Sequence, residues 1–306
     1  MKSRRNFIKK SILGAASLSL FPSYSFSNSP LKDIQLTILH TNDMHSQIEP
    51  FSSGKYKGLG GMAQRSSIVN KIRSEGNSVL LFDAGDIFQG TPYYNLFKGE
   101  LELKLMNEIG YDASTIGNHD FDNGINELVK HSKNSNFPFI ISNYDFSKNA
   151  MDNNYLKYKV FEKSGIKVGV FGVGIELEGL VPKRLHVNTI YKDPIQISNY
   201  YANHLKNIIN CDLVICLSHL GYQYIDNKIS DRVLASKTRN IDLIIGGHTH
   251  TFLDQPVFVK DLDQKKVQIA QVGWGGINIG RIDYFFSKKR SLKKIKSKSI
   301  LIKKYA

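Results

Sequence analysis

Five short polar clusters each close an apolar run: Asp43-x-His45, Gly85-Asp86, Gly117-Asn118-His119-Asp120, Ser218-His219-Leu220 and Gly246-Gly247-His248-Thr249-His250. Asp43, Asp86, Asn118, His45, His219, His248 and His250 offer mixed oxygen and nitrogen donors of the kind that suit Zn²⁺, Mn²⁺, Fe or Co. Asp86 can bridge two cations because a carboxylate has two oxygens, and the glycine before it lets the backbone come close. Five of the nine histidines fall in these clusters, a concentration that scattered core histidines would not produce. Two divalent ions set against two carboxylates and a hydroxide leave a net positive centre. The neutral amide of Asn118 preserves that charge where a third carboxylate would cancel it, which favours an anionic, phosphate-bearing substrate.

These residues need a scaffold to present them. Residues 34–40, 78–82, 167–173, 212–218 and 241–245 are short runs rich in Val, Ile and Leu, as strands buried on both faces read. Between them, 62–74, 100–109, 125–134 and 196–209 are helix-compatible, and Gly110 would stop the second. Runs at 255–259, 267–272 and 281–286 predict a meander closing one side. No internal repeat or linker divides the chain, so the expectation is one α/β sandwich. Its polar clusters fall at the carboxyl ends of strands, where such sheets bind ligands.

The chain has 306 residues, and 41% hydrophobic with 22% charged content fits a globular core. A net charge of +14 would suit nucleic acid, but its source lies at the ends. Five uncompensated basic residues lie in 1–28 and nine in 288–304, leaving a body near neutrality, so no nucleic-acid partner is expected. Residues 1–28 resemble a twin-arginine export signal: Arg4-Arg5, then Phe7-Ile8-Lys9, a short apolar stretch and small residues at 23–27. That pathway moves folded proteins, so the metals could be acquired before arrival in the periplasm or outside. Residues 288–306 read as a loose basic tail. Contact of its lysines and Leu292, Ile295, Ile300 and Leu301 with an anionic membrane is one reading; a solvated surface strand or frayed terminus is preferred. Cys211 and Cys216 flank one strand and are poorly placed to bond each other. His131, His186 and His204 have no ligand-like neighbours and read as surface or structural.

Taken with their flanks, the clusters resemble calcineurin-type metallophosphoesterases. The matching stretches are His40-Thr41-Asn42-Asp43-Met44-His45, Gly85-Asp86-x-x-Gln89-Gly90-Thr91-Pro92, Gly117 to Asp122, Ser218-His219-Leu220-Gly221 and Gly247-His248-Thr249-His250. More narrowly they are similar to the catalytic domain of the bacterial 5′-nucleotidase and 2′,3′-cyclic phosphodiesterase family. The resemblance implies a four-layer α/β/β/α sandwich over residues 29–287 holding two divalent metals. Asp43, His45 and His250 would bind one metal, Asn118, His219 and His248 the other, and Asp86 both. His119 would protonate or stabilise the leaving oxygen, Asp122 would orient its ring, and a hydroxide between the metals would attack phosphorus. The implied reaction is phosphate release from nucleotides, with 2′,3′-cyclic nucleotide phosphodiesterase activity as the alternative. Family 5′-nucleotidases carry a C-terminal domain that stacks the base, and this chain ends before one. A catalytic subunit whose substrate-binding domain is a separate chain is therefore a further reading. Trp274, the only tryptophan, could stack a base at the site mouth, but local packing of a loop aromatic is the preferred reading.

Overall fold

Alternate residues of the central strands enter different cores, and this period of two builds the layers. In β1 (Ile34–Thr41) Leu36 and Ile38 join one core while Leu39 joins another. In β2 (Ser78–Asp83) Leu80 and Phe82 face the first core and Leu81 the second. The computed structural model describes residues 33–226 and 228–303; the twin-arginine reading at 1–28 lies outside the described residues. The remaining strands are β3 (Ala113–Ser114), β4 (Tyr144–Asp145), β5 (Tyr158–Lys163), β6 (Ile166–Gly174), β7 (Ile190–Tyr191) and β8 (Leu213–His219). They continue with β9 (Leu243–Gly246), β10 (Val257–Lys260), β11 (Lys266–Ala270), β12 (Asn278–Phe286) and β13 (Leu292–Leu301).

One five-stranded sheet runs β13-β12-β1-β2-β3, and a six-stranded sheet runs β10-β11-β9-β8-β6-β5. Leu36, Ile38, Leu80 and Phe82 from the first meet Val168, Val170, Leu213, Ile215, Leu217, Leu243 and Ile245 from the second in the inter-sheet core. Val214, Cys216 and Ile244 point outward to the helices behind the second sheet. The outer face of the first sheet is covered by α1 (Met62–Arg73), α3 (Glu100–Ile109) and α4 (Ile125–Asn134); the short α2 (Pro92–Phe97) lies between α1 and α3 in the chain. The second sheet is covered by α5 (Pro194–Asn203), its π-helical continuation His204–Ile208, and α6 (Asp231–Lys237). The result is the expected four-layer α/β/β/α sandwich, with Cys211 and Cys216 free and buried.

Local chemistry explains the helix limits. Gly110 ends α3 at φ 79°, a left-handed cap that glycine adopts without penalty. Helix α5 begins two residues before the expected start because the Asp193 carboxylate accepts from the N–H of Ile195 and Gln196, and Pro194 suits the first turn.

Two expectations are corrected. The final strands are not a meander: β10 and β11 pair antiparallel in the second sheet, whereas β12 crosses to the first and pairs with β1. Nor is the segment after Phe286 a loose tail; it is the solvated surface strand of the preferred reading. Strand β13 pairs with β12 from Asn278↔Leu301 to Phe286↔Leu292, forming a sheet edge whose lysines point to solvent. Charged edges of this kind resist pairing with another chain. Among the described residues, no helix is long and apolar enough to cross a membrane.

Candidate metal centre

The parallel pairs β1–β2 and β8–β9 deliver their carboxyl ends to one place. Asp43 and His45 follow β1, Asp86 follows β2, Asn118 and His119 follow β3, His219 ends β8, and His248 and His250 follow β9. Two donor groups result, Asp43–His45–His250 and Asp86–His219–His248, the ligand atoms of each lying within 4.8 Å of one another. His219 Nε2 is also 3.9 Å from Asp43 Oδ1, and His45 Nε2 is 3.9 Å from Asp86 Oδ2, so the groups adjoin. His119 packs edge-on against His45 with centroids 5.4 Å apart, and its Nδ1–H donates to Asp122 Oδ2 at 2.9 Å.

Donor spacing tests whether these residues fit a metal. Two bonds of about 2.1 Å meeting at roughly 90–110° hold their donor atoms about 3.0–3.4 Å apart. His45 Nε2 and His250 Nε2 are 3.0 Å apart, His250 Nε2 and Asp43 Oδ1 3.5 Å, and Asn118 Oδ1 and His248 Nδ1 2.8 Å. His219 gives the sharpest sign. Its Nδ1–H donates to the Ala84 carbonyl at 2.7 Å, while the buried Nε2 has no hydrogen-bond partner although Asp86 Oδ2 is 3.0 Å away. A ring nitrogen and a carboxylate oxygen at that spacing, without an aligned hydrogen bond between them, stand as two ligands of one cation do. The residues fit.

The backbone is strained at the same positions. Asp43 (φ 49°), His45 (47°), Asp86 (53°), His248 (73°) and His250 (52°) all occupy the left-handed region. Each such non-glycine residue costs of order 1–3 kcal/mol and persists only where its surroundings over-determine it. The close approach of the loops also needs Gly85: a Cβ there, at φ 87°, would lie 2.6 Å from the Gly117 nitrogen and 2.9 Å from His219 Nδ1.

Buried polar side chains carry this strain, and Asp120 is foremost. Its carboxylate accepts from the N–H of Asp86 (3.1 Å), Ile87 (2.9 Å), Phe88 (3.3 Å) and Gly117 (2.8 Å), tying the two ligand loops together. Asn42 donates to Asp43 Oδ2 and to the Gly273 carbonyl, each at 2.6 Å, and accepts from the Val272 N–H at 2.9 Å. Gln271 donates to the Gly247 carbonyl at 2.6 Å and accepts from the Thr251 N–H at 2.5 Å. Sequence reasoning gave these residues no role. Asp120 and Asn42 stand inside the motifs, so their position was the available signal; Gln271 had none.

Electrostatics favour a free lone pair on two of the rings. Burial holds the imidazole of His45 down at about 4 and that of His248 down at about 3, so both are neutral donors at neutral pH. Burial pushes the Asp43 carboxyl up to about 8. Asp86 is also pushed upward by burial, but the imidazoles around it, chiefly His219, outweigh that and hold it below the usual carboxylate range. For His219, burial disfavours the charged ring, yet Asp86 and Asp43 raise it to about 10. The hydrogen bond to Asp122 raises His119.

Of the remaining histidines, His131 is buried beside Phe88 and His204 packs against Tyr158, in keeping with structural roles. Trp274 stacks on His250, centroids 5.7 Å apart and planes 13° from parallel, so its local packing is against a donor of the centre.

A two-layer sandwich of sheets with acid and imidazole donors gathered at their carboxyl ends defines a metallophosphoesterase. The chain belongs to the calcineurin-like phosphoesterase family, whose profile matches residues 36–252. It is 33% identical over 296 residues to a snake venom 5′-nucleotidase of Gloydius brevicauda, covering 88% of this chain and 48% of that protein. With the 5′-nucleotidase of Rattus norvegicus it shares 33% identity over 281 residues, 84% of this chain and 47% of that one. The chain therefore spans about half the length of the curated relatives it matches. The solved 5′-nucleotidase precursor of Thermus thermophilus superposes with a TM-score of 0.80 at 28% identity, over 88% of this chain and 55% of that chain.

Proposed function

We propose that the protein is an exported two-metal phosphohydrolase of the 5′-nucleotidase type, releasing phosphate from nucleoside monophosphates. The observation that carries this is the pair of adjoining donor groups, Asp43–His45–His250 and Asp86–His219–His248, with the His119–Asp122 pair beside them. Asp43, His45 and His250 would hold one divalent ion, Asn118, His219 and His248 the other, and Asp86 would serve both. Such ions supply Lewis-acid polarisation of phosphoryl oxygens and lower the pKa of water toward neutrality. Asp122 fixes the His119 tautomer by accepting a hydrogen bond from its Nδ1–H and stabilises the imidazolium, which leaves the opposite ring edge to donate to the departing oxygen. The backbone N–H of His119 donates to Asp86 Oδ1 at 2.8 Å, which ties the loop carrying the acid to the shared carboxylate. Similarity to proteins named 5′-nucleotidases supports nucleotides as the substrate class, and the Arg4-Arg5 segment supports export.

The test is phosphate release by the purified chain from AMP, UMP, a 2′,3′-cyclic nucleotide and p-nitrophenyl phosphate, with Mn²⁺ and with EDTA. Metal-dependent turnover of AMP and UMP is expected, and Asp86→Asn is expected to reduce it by more than about a thousandfold, at the upper end of single-group electrostatic effects. Undiminished turnover in EDTA or in Asp86→Asn sinks the metal assignment. Faster cleavage of the cyclic diester than of either monoester replaces the nucleotidase reading with a phosphodiesterase.

A further inference from the structure

Arg65 on α1 is fully buried in the layer of helices outside the first sheet. Taking a cation out of water is unfavourable unless opposite charge and hydrogen bonds compensate for it. This one has little of either. The guanidinium makes no ion pair among the described residues, and its Nε and Nη2 have no hydrogen-bond partner. Its Nη1 lies against the sulfurs of Met44 and Met62 and donates to the Tyr111 hydroxyl at 3.3 Å. A buried charge that adds so little to stability needs another explanation.

Its neighbours belong to the loops of the centre. Met44 stands between the donors Asp43 and His45, and a Cβ at Gly276 would strike Nη2. Gly276 follows Gly275, whose N–H donates to the Asp43 carbonyl at 2.7 Å. A chain of hydrogen bonds runs from Nη1 back to the site. The Tyr111 and Thr41 hydroxyls are 2.9 Å apart, and Thr41 Oγ1 donates to Asp83 Oδ2 at 2.6 Å. A guanidinium only donates and an ionised carboxylate only accepts, so both hydroxyl protons are directed, Tyr111 to Thr41 and Thr41 to Asp83. Asp83 Oδ1 accepts in turn from the Gly85 N–H at 2.9 Å, and the Gly85 carbonyl accepts from the Asp43 N–H at 3.0 Å. The chain starts at a buried charge on α1 and ends on the turn that bonds Asp43 and leads into Asp86. Burial pushes the Asp83 carboxyl up to about 6, and the bonds from Thr41 and Gly85 and the charge of Arg65 oppose that rise.

We propose that Arg65 is a positioning residue of the metal centre, acting through Tyr111 and Thr41 on Asp83, whose bond to the Gly85 turn holds Asp43 and Asp86 in register. The inference rests on the two-metal phosphoesterase reading above. Its distinguishing consequence is that Arg65 serves metal binding and not stability. Apolar side chains of similar volume replace buried charges without loss of stability, so a residue kept for packing alone would gain nothing from being an arginine.

Arg65→Met keeps most of the volume against Met44 and Gly276 and removes both the charge and the donor. Retention of Mn²⁺ by the purified full chain, measured by competition with a chelator of known affinity, should fall about tenfold or more, the loss typical of a partner behind a ligand. The metal-free variant should unfold at no lower denaturant concentration than the wild type. Tyr111→Phe cuts the chain but leaves Arg65 in place, and it should weaken retention in the same direction. In an Asp83→Asn background, Arg65→Met should change retention by less than about twofold, because the chain then has no charge to act on. Unchanged retention in Arg65→Met and Tyr111→Phe overturns the proposal, and so does an Arg65→Met effect of full size beside Asp83→Asn. A metal-free Arg65→Met chain that is markedly less stable, or does not fold, overturns it as well, since Arg65 would then be structural. All these readouts are of binding and folding, so a wild-type chain that retains Mn²⁺ but releases no phosphate sinks the phosphoesterase reading alone.

Discussion

His219 and His250 serve opposite sides of one centre and are held by different means. His219 ends β8, is fully buried, and has its Nδ1–H committed to the Ala84 carbonyl. His250 stands on a loop at φ 52°, with its side chain 40% exposed and Trp274 behind it. The strand-end histidine inherits the rigidity of the sheet ladder, while the loop histidine sits on a left-handed backbone and is backed by ring stacking. One side of the centre is therefore sealed, and the other is open to solvent.

Removing each histidine in turn tests that contrast most strongly. His219→Ala should weaken retention of divalent metal by more than about a hundredfold, beyond the cost of losing an outer partner, and His250→Ala by less because water can take its place. Competition against a chelator of known affinity measures both, and equal losses would end the distinction between a sealed and an open side. On the sealed side, Asp120→Ala strands four backbone N–H donors and should cost about 3–5 kcal/mol in chemical denaturation. Asp120→Asn keeps an acceptor and should recover part of it. Full stability in the alanine variant would show that the loops hold themselves.

The smallest effect concerns pH and lies away from the metals, on α4. Burial lowers the His131 pKa below its ordinary 6.5 in the folded protein. The unfolded chain then takes up the proton first, so stability is complete above about pH 6.5 and falls as pH drops below it. His131→Gln should flatten that part of the stability-versus-pH curve measured by thermal denaturation. An unaltered slope would mean that other groups carry it.

Much of the fold was legible because apolar runs such as 34–40 and 212–218 report strands buried on two faces, and 100–109 ends at a glycine that helices favour. Weaker segments were not. Tyr158 to Lys163 mixes charged and apolar residues without a period of two at a sheet edge, and α6 spans only Asp231–Lys237, too short to show a helical period. The lysines of β13 allowed a solvated surface strand or a frayed terminus alike, and only its pairing with β12 decides for the strand. The sheet assignment of β12 was equally hidden, since a strand's residues say that it pairs but not with what.

Residue type and local spacing by themselves determined the donor set and its attachment to strand ends. Ligand chemistry belongs to single side chains, and strand character to a period of two. Spacing does not say which donors share a group, which the family resemblance implied, and tertiary structure alone decided that Asp120 ties the Asp86 and Gly117 loops and that Trp274 backs His250. Those are meetings across the chain, His45 and His250 being 205 residues apart. No local signal carries such a pairing; it follows from which strands lie side by side and from where their ends are made to converge.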